Sequence, residues 1–325
     1  MKALVSVVMP AYNARTHIGE AIAGVLAQSY GDLELVIVDD GSVDGTGDVV
    51  RSFDDVRIRL IRTDNRGNYH ARNTALVEAR GSLIAFIDAD DVWDTGKVQA
   101  QVDSFERSPD IGLCCTDHYV FTQDDPGKLF IDPLHGFREE YYRHDSFLDS
   151  LILENGIITS SVMIARCCLD KLGIFDTAYQ NAMDYELWLR IMFNYRARYL
   201  KERLVRKRVH PGNISRNQVT SQRAVLYICR KMDTFMRHTP FYRSHHRDLF
   251  RRKMQETMYA LGMEYLGSRE YELAAYYLSK CNPAGKGFFL AAARTAALIR
   301  FDPFVSFVDA YRRHRRKRNM TPVRP

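Results

Sequence analysis

The feature of this sequence that most restricts its fold is a regular alternation over about the first hundred residues. Short apolar runs with the character of buried strands lie at 4–9, 33–42, 56–61 and 83–88. Amphipathic segments with helical spacing separate or follow them at 16–29, 46–53, 69–80 and 94–108. Strands that alternate with helices form parallel sheets with crossover helices. The sequence therefore predicts an α/β fold.

Polar residues follow three of these predicted strands at the point where each strand ends. They are "PAYN" at 10–13, "DDGS" at 39–42 and "DADD" at 88–91. Because open parallel sheets bind ligands beyond the carboxyl ends of their strands, we expect the three loops to meet at one edge. That edge is the predicted binding site.

The second half of the chain has a different pattern. The polar segment 123–146 is typical of a long loop excursion, and 155–165 has the composition of a strand. From about residue 221 the strand signals stop and helical patterns continue to about residue 300. We predict a catalytic domain over 1–217, a helical extension over 218–303 and a basic tail over 304–325.

The net charge of +6 is concentrated in the tail, since the segment "RRHRRKR" at 312–318 alone contains six Lys and Arg residues. Apolar residues at 304–308 precede it. The combination is typical of an amphipathic element held on anionic lipid, and a solvated C-terminus is the alternative. Nucleic-acid binding is not expected, because the rest of the chain is formally near neutral.

Cysteine usage and hydropathy indicate an intracellular location. The six cysteines have no C-x-x-C or zinc-ligand spacing, so we expect reduced, mostly buried thiols. No secretory signal and no apolar window of about 18 residues is present. We expect a cytoplasmic protein, peripheral on the cytoplasmic membrane face if the tail binds lipid.

The chemistry of the loops is rich in oxygen ligands. The loop after the first strand lacks the glycines of a dinucleotide site, and no P-loop lysine motif is present. Asp88 and Asp90, one residue apart after a strand, have carboxylates that suit a hard divalent cation, Mn²⁺ or Mg²⁺. Acidic loop residues also cap helices, and we assign that role to Asp91, before the helix near 94.

Six segments, in order, resemble the family 2 glycosyltransferases over residues 3–215. They are "VSVVMPAYNA", "LVIVDDGSVDGT", "NRGNYHARNTALVEARGSLIAFIDADDVW", "NGIITSSVMIARCCLDKLGIFD", "DYELWLRI" and "RVHPGNIS". The resemblance implies a GT-A fold with a mostly parallel, Rossmann-like central sheet, followed here by an all-helical C-terminal region. It also implies a nucleotide-sugar donor, with UDP the expected nucleotide and dTDP or GDP the alternatives. The acceptor would be a hydroxyl of a saccharide or a lipid-linked molecule.

The resemblance also assigns residues to the donor. Tyr12 would lie by the nucleobase of the donor, Asp39 would hydrogen-bond the nucleobase, and Arg72 would contact the nucleotide. Without the family, Tyr12 would be a packed aromatic residue, Asp39 a turn residue and Arg72 a solvated helix cation. The full donor set is Pro10, Ala11, Tyr12, Asn13, Asp39, Arg72, Asp88 and Ala89.

The same resemblance implies which residues bind the metal and which residue is the catalytic base. Asp90, with Asp88 and His210, would hold the cation that neutralises charge developing on the leaving diphosphate. Asp184 matches the base that deprotonates the acceptor hydroxyl, although Met183 stands where the family usually has an acidic residue. Glu186 is a second candidate base. The implied reaction is a single displacement that inverts the anomeric carbon.

Two other classes of function remain alternatives. A nucleotidyltransferase also combines an α/β fold, an aspartate pair and a metal, but it would be expected to have a glycine-rich loop with a basic residue after the first strand. A non-catalytic sugar-nucleotide-binding scaffold is the second alternative. The presence of Asp88, Asp90 and Asp184 argues against it.

Overall fold

A computed structural model of the chain describes residues 2–122, 125–131, 143–179, 181–210, 212–213, 217–282, 287–300, 303 and 321–322. The basic cluster and the apolar residues before it, predicted to bind lipid, lie outside the described residues. So does 132–142, the middle of the predicted excursion.

Four parallel strands form one side of the sheet, in the order β3-β2-β1-β4 from the edge inward. Every residue of β1, β2 and β4 is buried, whereas β3 at the sheet edge is half-buried. This burial explains the continuous apolar runs of the sequence. The strands are β1 (Val5–Ala11), β2 (Leu33–Asp39), β3 (Ile58–Arg62) and β4 (Leu83–Phe86). The helices that connect them are α1 (Ile18–Leu26), α2 (Thr46–Arg51) and α3 (Asn68–Glu78). The predicted α/β fold is confirmed.

The sheet continues beyond β4 through strands that run in both directions. The next elements are β5 (Val92–Trp93), α4 (Lys97–Arg107), β6 (Ile111–Thr122), β7 (Asp125–Ile131), α5 (His144–Leu153), β8 (Val162–Ala165), α6 (Arg166–Leu172), α7 (Met183–Asn194) and β9 (Arg196–Val209). Strand β8 lies between β4 and β6 and is antiparallel to both. Strand β9 runs parallel to β6, and its end pairs with β5. A short β10 (Thr321–Pro322) pairs with β7.

The strand predicted over 155–165 is only partly present. Residues Thr159–Ser161 form a 3-10 turn, and β8 begins at Val162. The backbone N–H and the hydroxyl of Ser161 both donate to the carbonyl of Ile158, at 3.0 and 2.7 Å. Such local bonds of serine favour a turn over a strand ladder, and the turn places three hydroxyl-bearing residues beside the end of β4.

Among the residues that the structure describes, β9 is followed by the α-helices α8 (Gln218–Phe235), α9 (His246–Gly267), α10 (Tyr271–Ser279) and α11 (Gly287–Ile299). Ile228 of α8 and Phe250 of α9 belong to the same apolar cluster as Trp188 of α7. A separate cluster joins α9 to α10 and α11. The all-helical C-terminal region is confirmed, whereas the domain boundary at 217 stays a prediction. Within the described ranges, none of the helices combines the length and the apolar character needed to cross a bilayer.

Candidate active site

The first two loops form one continuous surface at the carboxyl edge of the sheet. The N–H of Asn13 donates to Ser42 Oγ at 2.9 Å, and the N–H of Val43 donates to Asn13 Oδ1 at 3.0 Å. Asn13 has φ = 47°, a left-handed conformation that asparagine adopts more readily than most residues. Tyr12 is 52% exposed on this surface. Pro10 and Ala11 lie within the buried end of β1.

The two aspartates after β2 have different environments. Asp39 is buried, accepts a hydrogen bond from the N–H of Ser42 at 2.9 Å, and lies 3.8 Å from Arg62. It therefore makes the turn contact considered as its alternative role. Asp40 accepts from the backbone N–H groups of Arg66 and Gly67, at 3.0 and 2.8 Å, and so holds the start of α3. A cleft of about 600 Å³ beside them is lined by Asp40, Arg62, Thr63, Asp64, Arg66, His70, Ala71 and Thr74.

Arg72 is a buried cation, not a solvated one. Its side chain is 2% exposed, and its guanidinium lies over the rings of Tyr69 and Phe175, at 5.3 and 5.8 Å from their centroids. One terminal nitrogen donates to Asp88 Oδ1. An isolated buried cation is costly, so the guanidinium of Arg72 needs the carboxylate of Asp88 as its partner. Arg72 therefore supplies a permanent positive charge behind the aspartates.

The carboxylates of Asp88, Asp90 and Asp91 offer oxygens that all lie within 4.8 Å of one another. Each has its own partner. Asp88 accepts from Arg72, and Asp90 Oδ2 lies 2.9 Å from His210 Nε2 and 3.1 Å from the amide nitrogen of Asn213. The repulsion between three neighbouring carboxylates is thus offset in part by the protein itself. Ala89, between the first two, is buried.

Asp91 does not cap the following helix, and that prediction is wrong. Helix α4 begins only at Lys97, and Asp91 is buried with 4% exposure. Its carboxylate accepts from Ser160 Oγ at 2.5 Å and from the N–H of Arg208 at 2.9 Å. Asp91 therefore ties the aspartate loop to two distant parts of the chain.

Burial raises the pKa of Asp90, and the charge of Asp88 adds to this, while the hydrogen bond from His210 opposes it. Burial also raises the pKa of Asp91 well above its usual range, with the charges of Asp90 and Asp88 adding to the shift. Crowded carboxylates bind protons more tightly because each destabilises the ionised form of its neighbours. A cation at this position would offset that repulsion.

The donor set fits a hard divalent cation. Asp88 and Asp90 remain 38% and 25% exposed, and carboxylate oxygens are the ligands that Mn²⁺ and Mg²⁺ prefer. The role of His210 is less direct in this arrangement. Its Nδ1 accepts from the N–H of Gly212 at 3.1 Å, so the ring proton is on Nε2 and faces Asp90. His210 here donates to Asp90, and the ring proton would have to move from Nε2 to Nδ1 before Nε2 could ligate a metal.

Asp184 lies in the first turn of α7. This helix begins directly after Ala182, which has φ = 62°. Its Oδ2 accepts from Thr159 Oγ1 at 2.7 Å, and its Oδ1 lies 2.8 Å from the N–H of Tyr185 and 3.4 Å from the hydroxyl of Tyr69. Burial raises the pKa of Tyr69, so its hydroxyl stays a donor. The carboxylate is half-buried and therefore reachable from solvent.

Tyr69 and Arg72 connect the predicted base with the aspartate loop. The hydroxyl of Tyr69 approaches Asp184, its ring lies under the guanidinium of Arg72, and Arg72 bonds to Asp88. Both residues belong to α3, where three positions apart means neighbouring side chains on one face. The structure thus brings Asp184, Asp88 and Asp90 to the same edge of the sheet.

Glu186, the second candidate base, is fully buried and ion-paired. Its carboxylate lies 2.7 Å from Arg190 and 2.9 Å from Lys231 of α8. Two cations neutralise it away from the surface, so it has a structural role. Trp188 also lies in the core, where its ring packs against Phe86 and Phe175 at centroid distances of 5.6 and 6.0 Å.

Four further residues shape the site and were not predicted from the sequence. They are Tyr69, Thr159, Ser160 and Arg208. Arg208 donates to the carbonyl of Asp90 at 2.9 Å and forms an ion pair with Glu20. The only sequence signal for the middle pair is the triplet "TSS" inside the apolar run "IITSSVMI". Consecutive hydroxyls in an otherwise buried strand pattern have no packing function and indicate hydrogen bonding.

Comparison with known protein families gives a match to the model of glycosyl transferase family 2 over residues 6–163. The chain is 32% identical over 238 residues to the putative teichuronic acid biosynthesis glycosyltransferase TuaG of Bacillus subtilis, covering 71% of this chain and 89% of that protein. It is also 32% identical over 190 residues to a glucosyltransferase of Escherichia coli, WfgD, covering 58% of this chain and 70% of the relative.

Solved structures show the same fold. The S. aureus TarS 1-349 structure in complex with UDP-GlcNAc aligns with a TM-score of 0.67 at 14% identity, covering 96% of this chain and 92% of that one. The mannosyltransferase PcManGT from Pyrobaculum calidifontis, in complex with GDP-Man and Mn2+, aligns with a TM-score of 0.61 at 21% identity, covering 95% and 84%. The GT-A fold is thereby confirmed, and the chain belongs to glycosyl transferase family 2 and is a glycosyltransferase.

Proposed function

We propose that the protein transfers a sugar from a nucleotide-diphosphate sugar, with UDP the expected nucleotide, to a hydroxyl of a lipid-linked saccharide in cell-envelope polysaccharide synthesis. WfgD and a second E. coli relative, WfaP, are both named UDP-Glc:alpha-D-GlcNAc-diphosphoundecaprenol beta-1,3-glucosyltransferases. WfaP is 30% identical over 226 residues. These names support both the UDP-sugar donor and the lipid-linked acceptor.

The observation that carries the proposal is the connection from Asp184 through Tyr69 and Arg72 to Asp88. A glycosyl transfer with inversion needs one carboxylate to take a proton and a separate positive site to receive the leaving diphosphate. The structure has the partly exposed carboxylate of Asp184 on one side of this connection. On the other side it has an aspartate pair whose negative charge Arg72 offsets in part and which suits a divalent cation.

The donor would bind across the first two loops. We assign the nucleobase of the donor to the surface formed by Tyr12 and Asn13, above the buried Asp39 and next to the open polar cleft beside α3. The diphosphate would lie near Asp88 and Asp90, with Arg72 behind them. Mn²⁺ or Mg²⁺ bound by these two carboxylates would neutralise negative charge on the leaving diphosphate.

The transfer itself is assigned to Asp184. The acceptor oxygen forms a bond to the anomeric carbon as the bond from that carbon to the diphosphate oxygen breaks. The proton of the acceptor hydroxyl passes to the carboxylate of Asp184. Thr159 and Tyr69 orient this carboxylate by donating to different oxygens, at 2.7 and 3.4 Å. A single displacement of this kind inverts the anomeric configuration.

We also propose that the enzyme works at the membrane surface. A lipid-linked acceptor would bring it there, and the basic tail at 312–318 has the composition for anionic lipid, at about 1 kcal/mol per basic residue near the surface. Family membership leaves no support for the nucleotidyltransferase alternative. The transfer and binding assays below distinguish the enzyme from the non-catalytic scaffold alternative.

The test is Asp184→Asn, assayed with radiolabelled UDP-sugars and a synthetic GlcNAc-diphospholipid. The amide cannot accept the proton, so we expect kcat to fall by about 10²–10⁴-fold. Binding of UDP with Mn²⁺, measured by thermal shift, should remain because Asp184 is assigned no donor contact. Asp170→Asn, the same chemical change at an exposed position of α6, is the matched control.

Full activity of Asp184→Asn would refute the assignment of the base. A wild-type protein that binds nucleotide sugars but transfers from none of the UDP, dTDP or GDP donors would instead support the scaffold alternative.

A further inference from the structure

The 3-10 turn Thr159–Ser161 lies between the two halves of the proposed reaction centre. It precedes β8, which pairs with β4, the strand that leads into the aspartate loop. All three side chains are buried, with exposures of 6%, 0% and 1%. Buried hydroxyls need hydrogen-bond partners, and the three hydroxyls of this turn have different ones.

Ser160 holds the aspartate loop at both ends. Its Oγ accepts from the N–H of Asp88 at 3.0 Å and donates to Asp91 Oδ2 at 2.5 Å. Its carbonyl oxygen accepts from the indole N–H of Trp93 at 2.8 Å, which fixes the chain just beyond the loop. One residue thus sets the conformation of the segment that carries Asp88 and Asp90.

Thr159, the neighbouring residue, holds the predicted base. Its Oγ1 donates to Asp184 Oδ2 at 2.7 Å. The remaining contacts of that carboxylate come from the N–H of Tyr185, on its own helix, and from the more distant hydroxyl of Tyr69. Thr159 therefore provides the shortest bond between Asp184 and another element of the fold.

We propose that Thr159 and Ser160 are positioning residues that set the separation between the base and the metal-binding carboxylates. Because the two residues are adjacent, one peptide unit defines the distance between the point that holds Asp184 and the point that holds the aspartate loop. The inference rests on the proposed function. Reactions of this type are sensitive to such distances, since a misplacement of about 1 Å can lower the rate about a hundredfold.

Packing alone does not account for these side chains. A buried hydroxyl is disfavoured against an apolar side chain of equal size unless it forms hydrogen bonds. Ser161 provides the internal comparison, because its Oγ donates to the carbonyl of Ile158 within the turn and to neither half of the site. One of the three hydroxyls thus bonds to the predicted base, one to the aspartate loop and one to its own backbone.

The first experiment separates binding from chemistry at Ser160. Mn²⁺ binding to the wild-type protein and to Ser160→Ala is measured by isothermal titration calorimetry, with and without UDP. We expect a 10–100-fold weaker affinity for Mn²⁺ in the variant, as for the loss of other groups that orient metal ligands. At saturating Mn²⁺ and donor, kcat should also fall, because the loop that carries Asp88 and Asp90 would be displaced relative to Asp184.

The second experiment uses Thr159→Val, which keeps the shape but removes the hydroxyl. We expect kcat to fall by about 10–100-fold, with unchanged binding of Mn²⁺ and UDP. Thr159→Ser restores the hydroxyl and should restore most of kcat, an outcome that a purely structural role would not give. A crystal structure of Thr159→Val should show the carboxylate of Asp184 turned away from its native position.

Ser161→Ala is the matched control, and its Mn²⁺ affinity and kcat should equal those of wild type. If Ser160→Ala does not fold, Ser160→Cys keeps the volume and weakens the hydrogen bonds, so the same loss of Mn²⁺ affinity is expected. Wild-type Mn²⁺ affinity in the Ser160 variants, or wild-type kcat in Thr159→Val, would overturn the proposal.

The two proposals fail in different ways. A wild-type protein that binds Mn²⁺ but transfers from no nucleotide sugar contradicts the proposed function, and the Mn²⁺ titrations and the Thr159→Val structure still decide the positioning roles. A wild-type protein that transfers sugar but does not bind Mn²⁺ or Mg²⁺ overturns the role of Ser160 and the metal assignment to Asp88 and Asp90, and it leaves the assignment of Asp184 in place.

Discussion

Lys97 offers a quantitative test of the buried network below the aspartate loop. It is the first residue of α4 and has no exposed surface. Its Nζ donates to Gln101 Oε1 at 2.7 Å and lies 3.9 Å from the ring centroid of Trp93. Burial lowers the pKa of Lys97 from 10.5 to about 7. Lys97→Met tests the effect of this buried amine on stability, because methionine is also unbranched but has no ionisable group.

The direction of the pH effect follows from linkage. Between about pH 7 and about pH 10.5 the unfolded chain keeps a proton on this lysine that the native protein has lost, so the free energy of unfolding rises with pH. Each pKa unit corresponds to about 1.4 kcal/mol. Lys97 therefore destabilises the native protein by about 4 kcal/mol near pH 7 and about 2 kcal/mol near pH 9.

Lys97→Met removes this pH-dependent cost and also leaves Gln101 Oε1 without its donor. The lost hydrogen bond costs about 1–3 kcal/mol and is independent of pH. The change in the free energy of unfolding caused by the substitution should thus be more favourable near pH 7 than near pH 9, by about 2 kcal/mol. Other titrating groups are the same in both proteins and cancel from the comparison.

The assay is urea denaturation of the wild-type protein and of Lys97→Met at about pH 7 and about pH 9, followed by circular dichroism and by tryptophan fluorescence. Lys201→Met, at an exposed position of β9, should change the free energy of unfolding by less than about 0.5 kcal/mol at both values. An equal effect of Lys97→Met at the two pH values would refute the reasoning, because it would mean that Lys97 titrates alike in the folded and unfolded chains.

Two further substitutions test the fold. Gly81→Ala should destabilise the protein by about 3 kcal/mol or more, because the added Cβ would lie 2.5 Å from the carbonyl oxygen of Leu4; thermal melting against Gly31→Ala, which has no heavy atom within 4 Å of the new Cβ, measures it. Lys231→Met removes one of two cations around buried Glu186 and should cost about 2–3 kcal/mol in urea denaturation. Unchanged stability in either variant would contradict the packing described.

Much of the fold could be predicted because its rules are local. Apolar runs on β1, β2 and β4 indicated buried parallel strands, and the connection rule for such sheets placed Asp39 and Asp88 at the same edge. Strand β9 was missed because its sequence "RARYLKERLVRKRV" is dominated by basic residues, several of them on its exposed face. Its position is determined by pairing with β6 and β5, which a periodicity does not reveal.

The interior of the site could not be predicted for a related reason. Asp91 was assigned to the next helix because the sequence pattern predicts a helix from residue 94, whereas the structure begins it at Lys97. Its actual partners, Ser160 and Arg208, are 69 and 117 residues away along the chain. A local pattern contains no information on such contacts. The donor role of Asp39 and the metal roles of Asp90 and His210 stay predictions.

The apolar cluster shared by α7, α8 and α9 limits where chimeras of related glycosyltransferases can be joined. A catalytic segment ending at 217 would expose the faces of α7 and the sheet that Ile228 and Phe250 cover. A protein that contains only residues 1–217, or a chimera whose helices do not match this segment, would therefore expose apolar surface and tend to aggregate. The smallest unit that keeps its apolar faces covered extends through α11, because a second apolar cluster joins α9 to α10 and α11.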